Sequence, residues 1–482
     1  MAAIVTSNFR VLNAENFKAD VGTDKVYVGI GKADAWSPST SDVTDDPVSP
    51  LYLPNDHLDD EGQARANLLA LKKVAASDIS HVVNRYDWTS GRTYDDWDSN
   101  DPNIFDKTFY VLTSEFKVYK CIFAPTNAST IQPVQTLTEP TAESDGYIWK
   151  YMYTISTADA EKFLTTSYMP VKTIDPRAGG QSSDYSSDST AEAALSEADY
   201  AQYLNQKASA LHAKAGGIER IVVTGGGTNY DSKPTVDISG DGTGADVQPA
   251  QVTMAGSGGS QTVASITLTD KGTDYRVAKI SFSGGTPDTV AEARAVISPK
   301  QGHGTDPVRE LGSFFISLNA KLDNASGDDI TVGNDFRQVL LLKDPQVHNA
   351  NAYEGAAATA DVIKPMSGLD IASGTIANLQ VDEVIVGGSA NTPTAFVTEV
   401  DTANGIVYYH QNDKTGFEPF DDGETITGQT STTALVLESS NANVVSGTGV
   451  DRRSGELLFL EHRAPISRSA TQIEDIKVII EF

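Results

Sequence analysis

Residues 218–230 read IERIVVTGGGTNY, and residues 263–275 read VASITLTDKGTDY. The second stretch repeats the first at the same spacing, and the matched positions are Ile221 with Ile266, Val223 with Leu268, Gly227 with Gly272 and Tyr230 with Tyr275. Each copy continues into a second apolar run that ends in Ser-Gly. A strand, a glycine turn beside a tyrosine and a second strand, present twice, predict a small all-β module at residues 216–300.

A second β-rich segment covers residues 350–450, with DEVIVGG, TAFVTEV and GIVYYHQ as its clearest strands. Short strands separated by turn residues at intervals of roughly 8 to 12 positions are typical of small sandwiches and barrels. We therefore predict a second small all-β module here.

The N-terminal region predicts strands with a few short helices between them. TDKVYVGIGKADAW (residues 23–36) alternates apolar and other residues and predicts a half-buried strand. FYVLTSEFKVYKCIF (109–123) predicts a β-hairpin, and DGYIWKYMYTI (145–155) predicts a further strand. The predicted helices are 61–74, from the spacing of Ala64, Leu68, Leu71 and Val74, the capped segment 156–163, and the alanine-rich segment 191–215.

Together these patterns predict a mainly β chain with a few short helices, in a multi-domain β-sandwich architecture that carries two inserted small all-β modules. The predicted segments are an N-terminal region at 1–215, the inserted module at 216–300, a return to the core at 301–349, the second inserted module at 350–450 and C-terminal strands at 451–482 that complete the core.

Composition restricts the partners of the chain. There are 36 Lys and Arg against 65 Asp and Glu, a formal net charge of −29. Nucleic acids and anionic membranes bind through Lys and Arg, so this balance argues against both. No run approaches the roughly 18 to 20 apolar residues that span a bilayer. Cys121 is the single cysteine, which excludes an internal disulfide; its apolar neighbours predict a buried side chain.

Catalytic and metal-binding motifs are missing from the sequence. The seven histidines are too far apart for a helical zinc pair. YDDWDSNDP (residues 94–102) resembles a calcium loop but lacks the turn glycine and the distal glutamate. We predict no cofactor, no metal and no enzyme activity, while the many acidic residues leave a glycoside-hydrolysing carboxylate pair open.

The C-terminal stretch SGELLFLEHRAPISRSATQIEDIKVIIEF (454–482) resembles the C-terminus of the baseplate wedge protein of T-even-like contractile-tailed phages, the subunit that is dimeric in that family. AIVTSNFR at residues 3–10, NRYDW at 84–88, and VYKC followed by DGYIWKYMY resemble blocks of the same family, in the same order. The resemblance covers residues 1–175, 302–345 and 451–482. The two β modules have no counterpart in it.

This resemblance implies a structural component of a contractile phage tail baseplate. Such a wedge subunit connects neighbouring wedge proteins and takes part in baseplate assembly and in the rearrangement that triggers sheath contraction. The implied protein is a homodimer in the virion tail baseplate, synthesised in the host cytoplasm, that binds other wedge subunits but no nucleic acid and no membrane.

The alternative is a tail-associated glycan-binding or glycan-degrading protein, with its chemistry in one of the inserted modules. Exposed aromatic side chains would serve such a role, and the candidates are Tyr230, Tyr275, Tyr408 and Tyr409. Each is also suited to packing within its own module.

For the wedge interpretation, candidate interface or loop-anchoring residues are of the types enriched at interface hot spots or fixed in turns. They are Arg85, Trp88, Trp97, Trp149 and Arg463. Predicted long loops that could embrace neighbouring subunits are 37–54, 89–103 and 124–145. An equal alternative for Trp88 and Trp97 is that they cap the core of their own domain.

Overall fold

The computed structural model describes residues 4–23, 25–36, 53–172, 216–248, 251–299, 302–323, 334–348, 355–365, 367–445, 449–468 and 473–482. The predicted helix at 191–215 and most of the predicted loop at 37–54 lie outside these ranges. The chain forms two compact units: unit 1 comprises residues 1–15, 80–317 and 479–482, and unit 2 comprises residues 16–79 and 318–478. The division into five segments remains a prediction.

The described residues are mainly β, which confirms the predicted class. Their α-helices are α1 (Ser7–Thr23), α2 (Leu58–Ala66), α3 (Thr157–Phe163) and α4 (Pro307–Glu310). The strands up to residue 273 are β1 (Val26–Gly31), β2 (Leu68–Lys73), β3 (Ile79–Asn84), β4 (Tyr110–Leu112), β5 (Lys117–Phe123), β6 (Thr141–Ala142), β7 (Ile148–Thr154), β8 (Tyr168–Pro170), β9 (Ile218–Gly225), β10 (Thr235–Gly240), β11 (Thr243–Asp246), β12 (Val252–Ala255), β13 (Thr262–Ile266) and β14 (Asp270–Thr273). The later strands are β15 (Ala278–Ser283), β16 (Glu292–Ile297), β17 (Phe315–Asp323), β18 (Phe336–Lys343), β19 (Val362–Ile363), β20 (Ser367–Ser373), β21 (Val384–Gly387), β22 (Thr394–Asp401), β23 (Ile406–His410), β24 (Thr425–Gly428), β25 (Ala434–Leu437), β26 (Asn443–Val445), β27 (Glu456–Ile466) and β28 (Ile473–Glu481).

The central sheet of unit 2 has the strand order β19-β2-β1-β18-β27. β1 lies between β2 and β18, and all six of its residues are buried. The predicted strand is therefore present, but the expectation that it is half-buried is wrong. A central strand covered on both faces buries both sides of its alternation.

The predicted helix at 61–74 is wrong in its second half. α2 ends at Ala66, and after Asn67 the chain enters β2, which pairs with β1 and β19. Residues 68–71 are all buried, as in a strand with two covered faces. Four consecutive apolar residues also satisfy a helical spacing, so periodicity could not separate the two structures.

In unit 1 the aromatic strands form a sheet with the order β4-β5-β7-β6. This confirms the predicted hairpin at 109–123 and the strand that follows Gly146. The predicted capped helix is α3, where the Ser156 hydroxyl accepts a hydrogen bond from the Asp159 backbone N–H at 3.1 Å. Ser156 thus satisfies one of the free N–H groups at the helix start.

The predicted strands of the two-copy repeat are present, but the second copy also contains β14, which includes Gly272 and pairs with β11. The sheet order is β10-β15-β16-β9-β13-β12. The first strands of the two copies, β9 and β13, lie side by side, and so do their second strands, β10 and β15. Ile221 lies opposite Ile266 in the first of these pairs. Tyr230 and Tyr275 are buried in the core of this module, each beside the turn glycine of its own copy.

The turn glycines are required by backbone conformation and by space. Gly227 has φ +67° and Gly272 has φ +63°. A Cβ on Gly227 would lie 2.5 Å from the Thr289 carbonyl oxygen. We expect Gly227→Ala and Gly272→Ala each to lower the free energy of unfolding by more than about 1 kcal/mol, because the left-handed conformation and the contact both oppose the methyl group. Urea denaturation of the full chain measures this.

Gly225→Ala is the matched control within the same module. A methyl group at this position would have Glu292 Cβ as its nearest neighbour at 3.7 Å, an ordinary van der Waals contact. We expect this variant to be unchanged or more stable by up to about 1 kcal/mol. Equal losses for Gly225→Ala and Gly227→Ala would show that the turn conformation is not the cause.

Strands β20 to β25 of unit 2 form a closed sheet. Strand pairs run β20-β23-β22-β21-β24-β25 and back to β20, which makes a ring of six strands. Glu383 and Glu424 hold equivalent places in two hairpins of this ring. Glu383 Oε2 accepts the backbone N–H groups of Thr430 at 3.1 Å and Ser431 at 2.9 Å. Glu424 Oε2 accepts that of Ser389 at 2.9 Å, so each hairpin fixes the turn of the other.

Candidate functional site

The loops at 89–103 and 124–145 of unit 1 are joined through Ser129. Trp88 Nε1 donates to the Ser129 hydroxyl at 3.2 Å, and that hydroxyl donates to Asp145 Oδ2 at 3.1 Å. The Gly91 backbone N–H donates to the Ser129 carbonyl at 2.8 Å. Trp88 is half-buried against the aromatic core beside these loops. Its position therefore anchors two loops of its own chain to each other.

Asp145 fixes the start of the second loop. Its Oδ2 accepts the backbone N–H groups of Thr130 at 2.8 Å and Ile131 at 3.0 Å. Burial raises the pKa of this carboxyl group, but the hydrogen bonds from Ile131 and Thr130 and further ones outweigh burial and hold the pKa below its usual value. The carboxylate is therefore charged at neutral pH and pins the loop.

Arg85 makes two side-chain contacts within its own chain. Its Nε donates to Asp87 Oδ1 at 2.8 Å and its Nη1 to the Thr165 carbonyl at 2.8 Å. These contacts join the end of β3 to the segment before β8.

Trp149 lies inside the aromatic core of the β4-β5-β7-β6 sheet. It is 2% exposed and stacks on Tyr147 with ring centroids 5.7 Å apart. Tyr94 meets it edge-on at 5.6 Å. Cys121, directly opposite Trp149 in the strand pairing, is fully buried, as its apolar neighbours predict.

Trp97 covers a buried group of charges. Lys120 is 0% exposed, and its Nζ lies 2.9 Å from Glu310 Oε2 and 4.6 Å from the centroid of the Trp97 ring. His303 packs edge-on against Trp97 at 5.0 Å, with its Nδ1 3.9 Å from Glu310 Oε2. Glu310 also accepts the backbone N–H of Gly304 at 2.8 Å, so its charge is held by several donors.

The ionisation of this group follows from its burial. Burial lowers the pKa of Lys120, and the neighbouring Glu310 only partly opposes that shift. Burial and the Lys120 charge lower the pKa of His303. Burial raises the pKa of Glu310, but Lys120 and the other donors outweigh burial and lower it overall. The Lys120–Glu310 contact thus favours the charged form of Glu310, while burial favours the neutral form of His303.

The acidic loop at 94–102 is held by arginines of strands β9 and β16. Asp96 Oδ1 lies 3.0 Å from Arg220 Nη2, and Asp98 Oδ1 accepts from Arg294 Nη1 at 2.8 Å. Arg220 Nη1 also donates to the Trp97 carbonyl at 3.0 Å. Burial raises the pKa of Asp98, but Arg294 and further donors lower it to about 2. Two aspartates of this loop are therefore paired with guanidinium groups of the same chain.

These arginines were missed by sequence reasoning. Each lies more than a hundred positions from the loop it binds, on strands β9 and β16. The four aspartates made the loop conspicuous in the sequence, but nothing in the sequence marked the two arginines as their partners. Part of the predicted embracing loop at 89–103 thus contacts the same chain.

A cleft with a volume of about 1070 Å³ opens beside Trp97 in unit 1. Four of the carboxylates that line it have cationic partners: Asp98 with Arg294, Asp101 with Lys107, Asp306 with Arg309 and Glu310 with Lys120. These pairs assign the four side chains to structural contacts.

Arg463 lies in β27 of unit 2, away from the other four candidates in the sequence. Its Nε donates to Glu461 Oε1 at 2.9 Å on a half-buried part of the strand. Its carbonyl oxygen accepts from Trp36 Nε1 at 3.3 Å. The contact fixes the Trp36 side chain against β27.

Exposed apolar side chains follow one another along the loop at 124–145. Ile131, Val134 and Leu137 are 38%, 49% and 57% exposed. Between residues 124 and 146 the sequence has three acidic residues, Glu139, Glu143 and Asp145, and no Lys or Arg. The loop presents an apolar strip with acidic neighbours, while its base is fixed by Ser129 and Asp145.

The aromatic residues suggested for glycan contact are mostly packed. Tyr230 is 0% and Tyr275 is 6% exposed, and Tyr409 packs edge-on against Phe420 in the ring of β20 to β25. Within the described ranges there is no cluster of three or more His, Cys, Asp or Glu side chains that could hold a metal ion. None of the helices described combines the length and apolar character needed to cross a bilayer.

The described residues are mainly β, and the named side chains fix loops and strands within their own chain. Residues 3–132 match the family model Phage-Gp8, described as bacteriophage T4 Gp8, a baseplate wedge protein. No curated protein matches the chain. The matched range includes Arg85, Trp88 and Trp97.

Proposed function

We propose that this chain is a wedge subunit of a contractile phage tail baseplate. In the proposal it is a homodimer, connects neighbouring wedge proteins, and takes part in baseplate assembly and in the rearrangement that triggers sheath contraction. The match of residues 3–132 to the Phage-Gp8 family carries the proposal. The resemblance of the blocks at 145–153 and 454–482 to the same family supports it beyond the matched range.

The role is mechanical and needs no catalytic residue. Stiff β modules transmit load, and fixed loops present contact surfaces to neighbours. Paired carboxylates in the cleft of unit 1 and buried tyrosines in the first module are what a structural role requires. They give the glycan-degrading alternative no specific support.

Immuno-electron microscopy of the intact particle tests the location. One antibody is raised against the whole chain and a second against residues 367–445. Label from both at the baseplate ring is the expected result. Label at fibre tips, or normal particles assembled without the protein, would contradict the proposal.

The exposed strip at Ile131, Val134 and Leu137 is our candidate for a contact with a neighbouring wedge subunit. We expect the triple serine variant to keep its melting temperature and to lower the titre of complemented infectious particles at least tenfold, since buried apolar anchors commonly contribute about 1 to 2 kcal/mol each to an interface. Complementation of a phage that lacks the gene gives the titre.

The matched control replaces Val277 and Val290 with serine. They are 67% and 52% exposed and lie in the inserted module of the same unit, outside the range that matches the family. We expect normal titres from this control. An equal loss of titre in both variants would show that general surface changes, and not the loop, cause the defect.

A further inference from the structure

The turn between β22 and β23 carries the one Asn-Gly pair of the sequence, Asn404–Gly405. Asp401, the last residue of β22, lies opposite Ile406, the first residue of β23, so the turn comprises residues 402–405. Asn404 is exposed, and Gly405 has φ +74°, a left-handed conformation that glycine adopts readily. None of the functional arguments above uses this turn.

An asparagine that precedes glycine is chemically prone to spontaneous deamidation. In this reaction the backbone nitrogen of the following residue gives up its proton and attacks the asparagine Cγ. The side-chain nitrogen takes up a proton and leaves as ammonia, and a cyclic imide remains. Water then opens the imide at either of its two carbonyl groups, which yields aspartate or isoaspartate. Glycine favours the attack because it has no Cβ to obstruct the approach of its nitrogen.

Asp401 holds the side chain of Asn404 in place. Its Oδ2 accepts a hydrogen bond from Asn404 Nδ2 at 2.7 Å, and its Oδ1 accepts the backbone N–H groups of Ala403 and Asn404, both at 3.0 Å. The hydrogen bond from the Asn404 side chain, together with those from the backbone, holds the pKa of Asp401 below its usual value. The carboxylate is therefore charged at neutral pH, and hydrogen bonds to a charged acceptor are the stronger kind.

The attacking nitrogen of Gly405 is engaged as well. Its N–H donates to the Asp401 carbonyl at 2.9 Å. Attack on the Asn404 Cγ requires this N–H to lose its proton and to turn toward the side chain, so the hydrogen bond must break first. The negative charge of the Asp401 carboxylate also opposes the formation of a second negative charge on the nearby nitrogen. Both reacting groups are thus restrained by the same residue.

We propose that Asn404 is a site of spontaneous deamidation and that Asp401 protects it in the folded chain. The reactive pair lies in an exposed turn, and the side-chain amide of Asn404 and the N–H of Gly405 are both hydrogen-bonded to Asp401. The inference goes beyond the proposed wedge function and does not depend on it.

Deamidation changes the turn in two ways. Aspartate at position 404 lacks the Nδ2 donor and places a second carboxylate beside Asp401, while isoaspartate also lengthens the backbone between β22 and β23 by one carbon. The Gly405 carbonyl accepts the Ile371 N–H at 3.0 Å, so the change reaches β20, where the ring of strands closes. We therefore expect Asn404→Asp to melt at a lower temperature than the wild type.

The first test compares the folded full chain with the same chain in urea, both incubated at pH 8. Peptide mass spectrometry measures the deamidation at each asparagine. In urea we expect Asn404 to react at least tenfold faster than Asn391, which is also exposed in the folded chain but precedes the β-branched Thr392. In the folded chain we expect Asn404 to react at least tenfold more slowly than in urea. Equal rates at the two asparagines in urea would overturn the site, and equal rates at Asn404 with and without urea would overturn its protection.

Asp401→Ala identifies the protecting group. In the folded variant we expect deamidation at Asn404 to be at least fivefold faster than in the folded wild type, whereas in urea the two chains should agree within twofold. Asp421→Ala is the matched control, because it removes an exposed carboxylate of the same ring in the turn before β24. It should leave the folded rate at Asn404 unchanged within twofold. Equal acceleration by both variants would show that lost surface charge, and not the contact with Asn404, is the cause.

Asp401→Asn keeps the test valid where the alanine variant loses structure. Asparagine retains an oxygen for the backbone N–H groups of Ala403 and Asn404, but it removes the negative charge. We expect this variant to stay folded by circular dichroism and to deamidate at Asn404 at least threefold faster than the wild type. A wild-type rate in both Asp401 variants would refute the protective role. All these measurements use purified protein, so their failure would leave the location of the protein in the particle unaffected.

Discussion

Lys120→Met is expected to lower the free energy of unfolding by about 3 to 5 kcal/mol, because it leaves the carboxylate of Glu310 buried without its counter-ion. Lys120 Nζ lies 2.9 Å from Glu310 Oε2, with both side chains almost completely buried. Methionine retains the volume that packs beneath Trp97, so the loss reports charge and not a cavity. Urea denaturation at pH 7.5 provides the measurement.

Lys117→Met is the matched control on the same strand. Lys117 Nζ lies 2.7 Å from Glu115 Oε2, but Glu115 is 59% exposed. Solvent screening limits such a pair to about 0 to 1 kcal/mol. Similar losses for the two lysine variants would refute the distinction between a buried and an exposed pair.

The double variant Lys120→Met with Glu310→Gln should recover part of the loss. Glutamine removes the isolated charge while keeping an oxygen that can accept the N–H of Gly304. The effects of substituting two contacting residues on the free energy of unfolding do not simply add. The difference between the double variant and the sum of the two single variants therefore measures the coupling between Lys120 and Glu310.

Acid should weaken the wild type more than Lys120→Met. In the folded chain the pKa values of Glu310 and His303 both lie below the usual values for these side chains. As pH falls, the unfolded chain therefore binds more protons than the folded chain does, which lowers the free energy of unfolding. This loss arises first from His303 and then, at lower pH, from Glu310. Without Lys120 the pKa of Glu310 rises, and the part of the acid sensitivity that comes from Glu310 disappears.

Local patterns were sufficient to predict β1, the hairpin at 109–123 and the main strands of the repeat, but not β2, which the spacing of its apolar residues predicted as helix. The glycine and tyrosine of each copy are close in sequence, and they meet in the structure because the glycine adopts the left-handed conformation. The equivalence of Glu383 and Glu424 was also present in the sequence as DEVIVGG and GETITGQ. It was not recognised because apolar periodicity carries no information about which turn a carboxylate will bind.

Long-range charge contacts were beyond sequence reasoning. The aspartates at 95–101 were conspicuous, but their partners Arg220 and Arg294 are ordinary residues of two strands. Register between distant strands decides which arginine faces the loop, and a single sequence does not reveal that register. The burial of β1 on both faces likewise depends on what packs against its sheet, which the alternation within β1 does not specify.

Trp149 presents the second large effect. We expect Trp149→Ala to lower the free energy of unfolding by about 3 to 5 kcal/mol, because removing a large buried ring leaves a cavity in the aromatic core. The ring is 2% exposed, stacks on Tyr147 and meets Tyr94 edge-on. An interface anchor would instead be exposed in the isolated chain, and its loss would weaken assembly without changing the stability of that chain. Thermal and urea denaturation of the purified protein distinguish these two roles.

Trp149→Phe and Trp88→Ala are the comparisons that make the result specific. The Trp149 Nε1 has no hydrogen-bond partner within the described structure, so phenylalanine loses volume but no hydrogen bond and should cost no more than about half of the alanine effect. Trp88 is half-buried and donates to Ser129, so its alanine variant should cost about 1 to 2 kcal/mol and release the loop at 124–145. If Trp149→Ala leaves stability unchanged while Trp88→Ala lowers it, Trp149 is not a core residue, and its contribution must be sought at a surface between subunits.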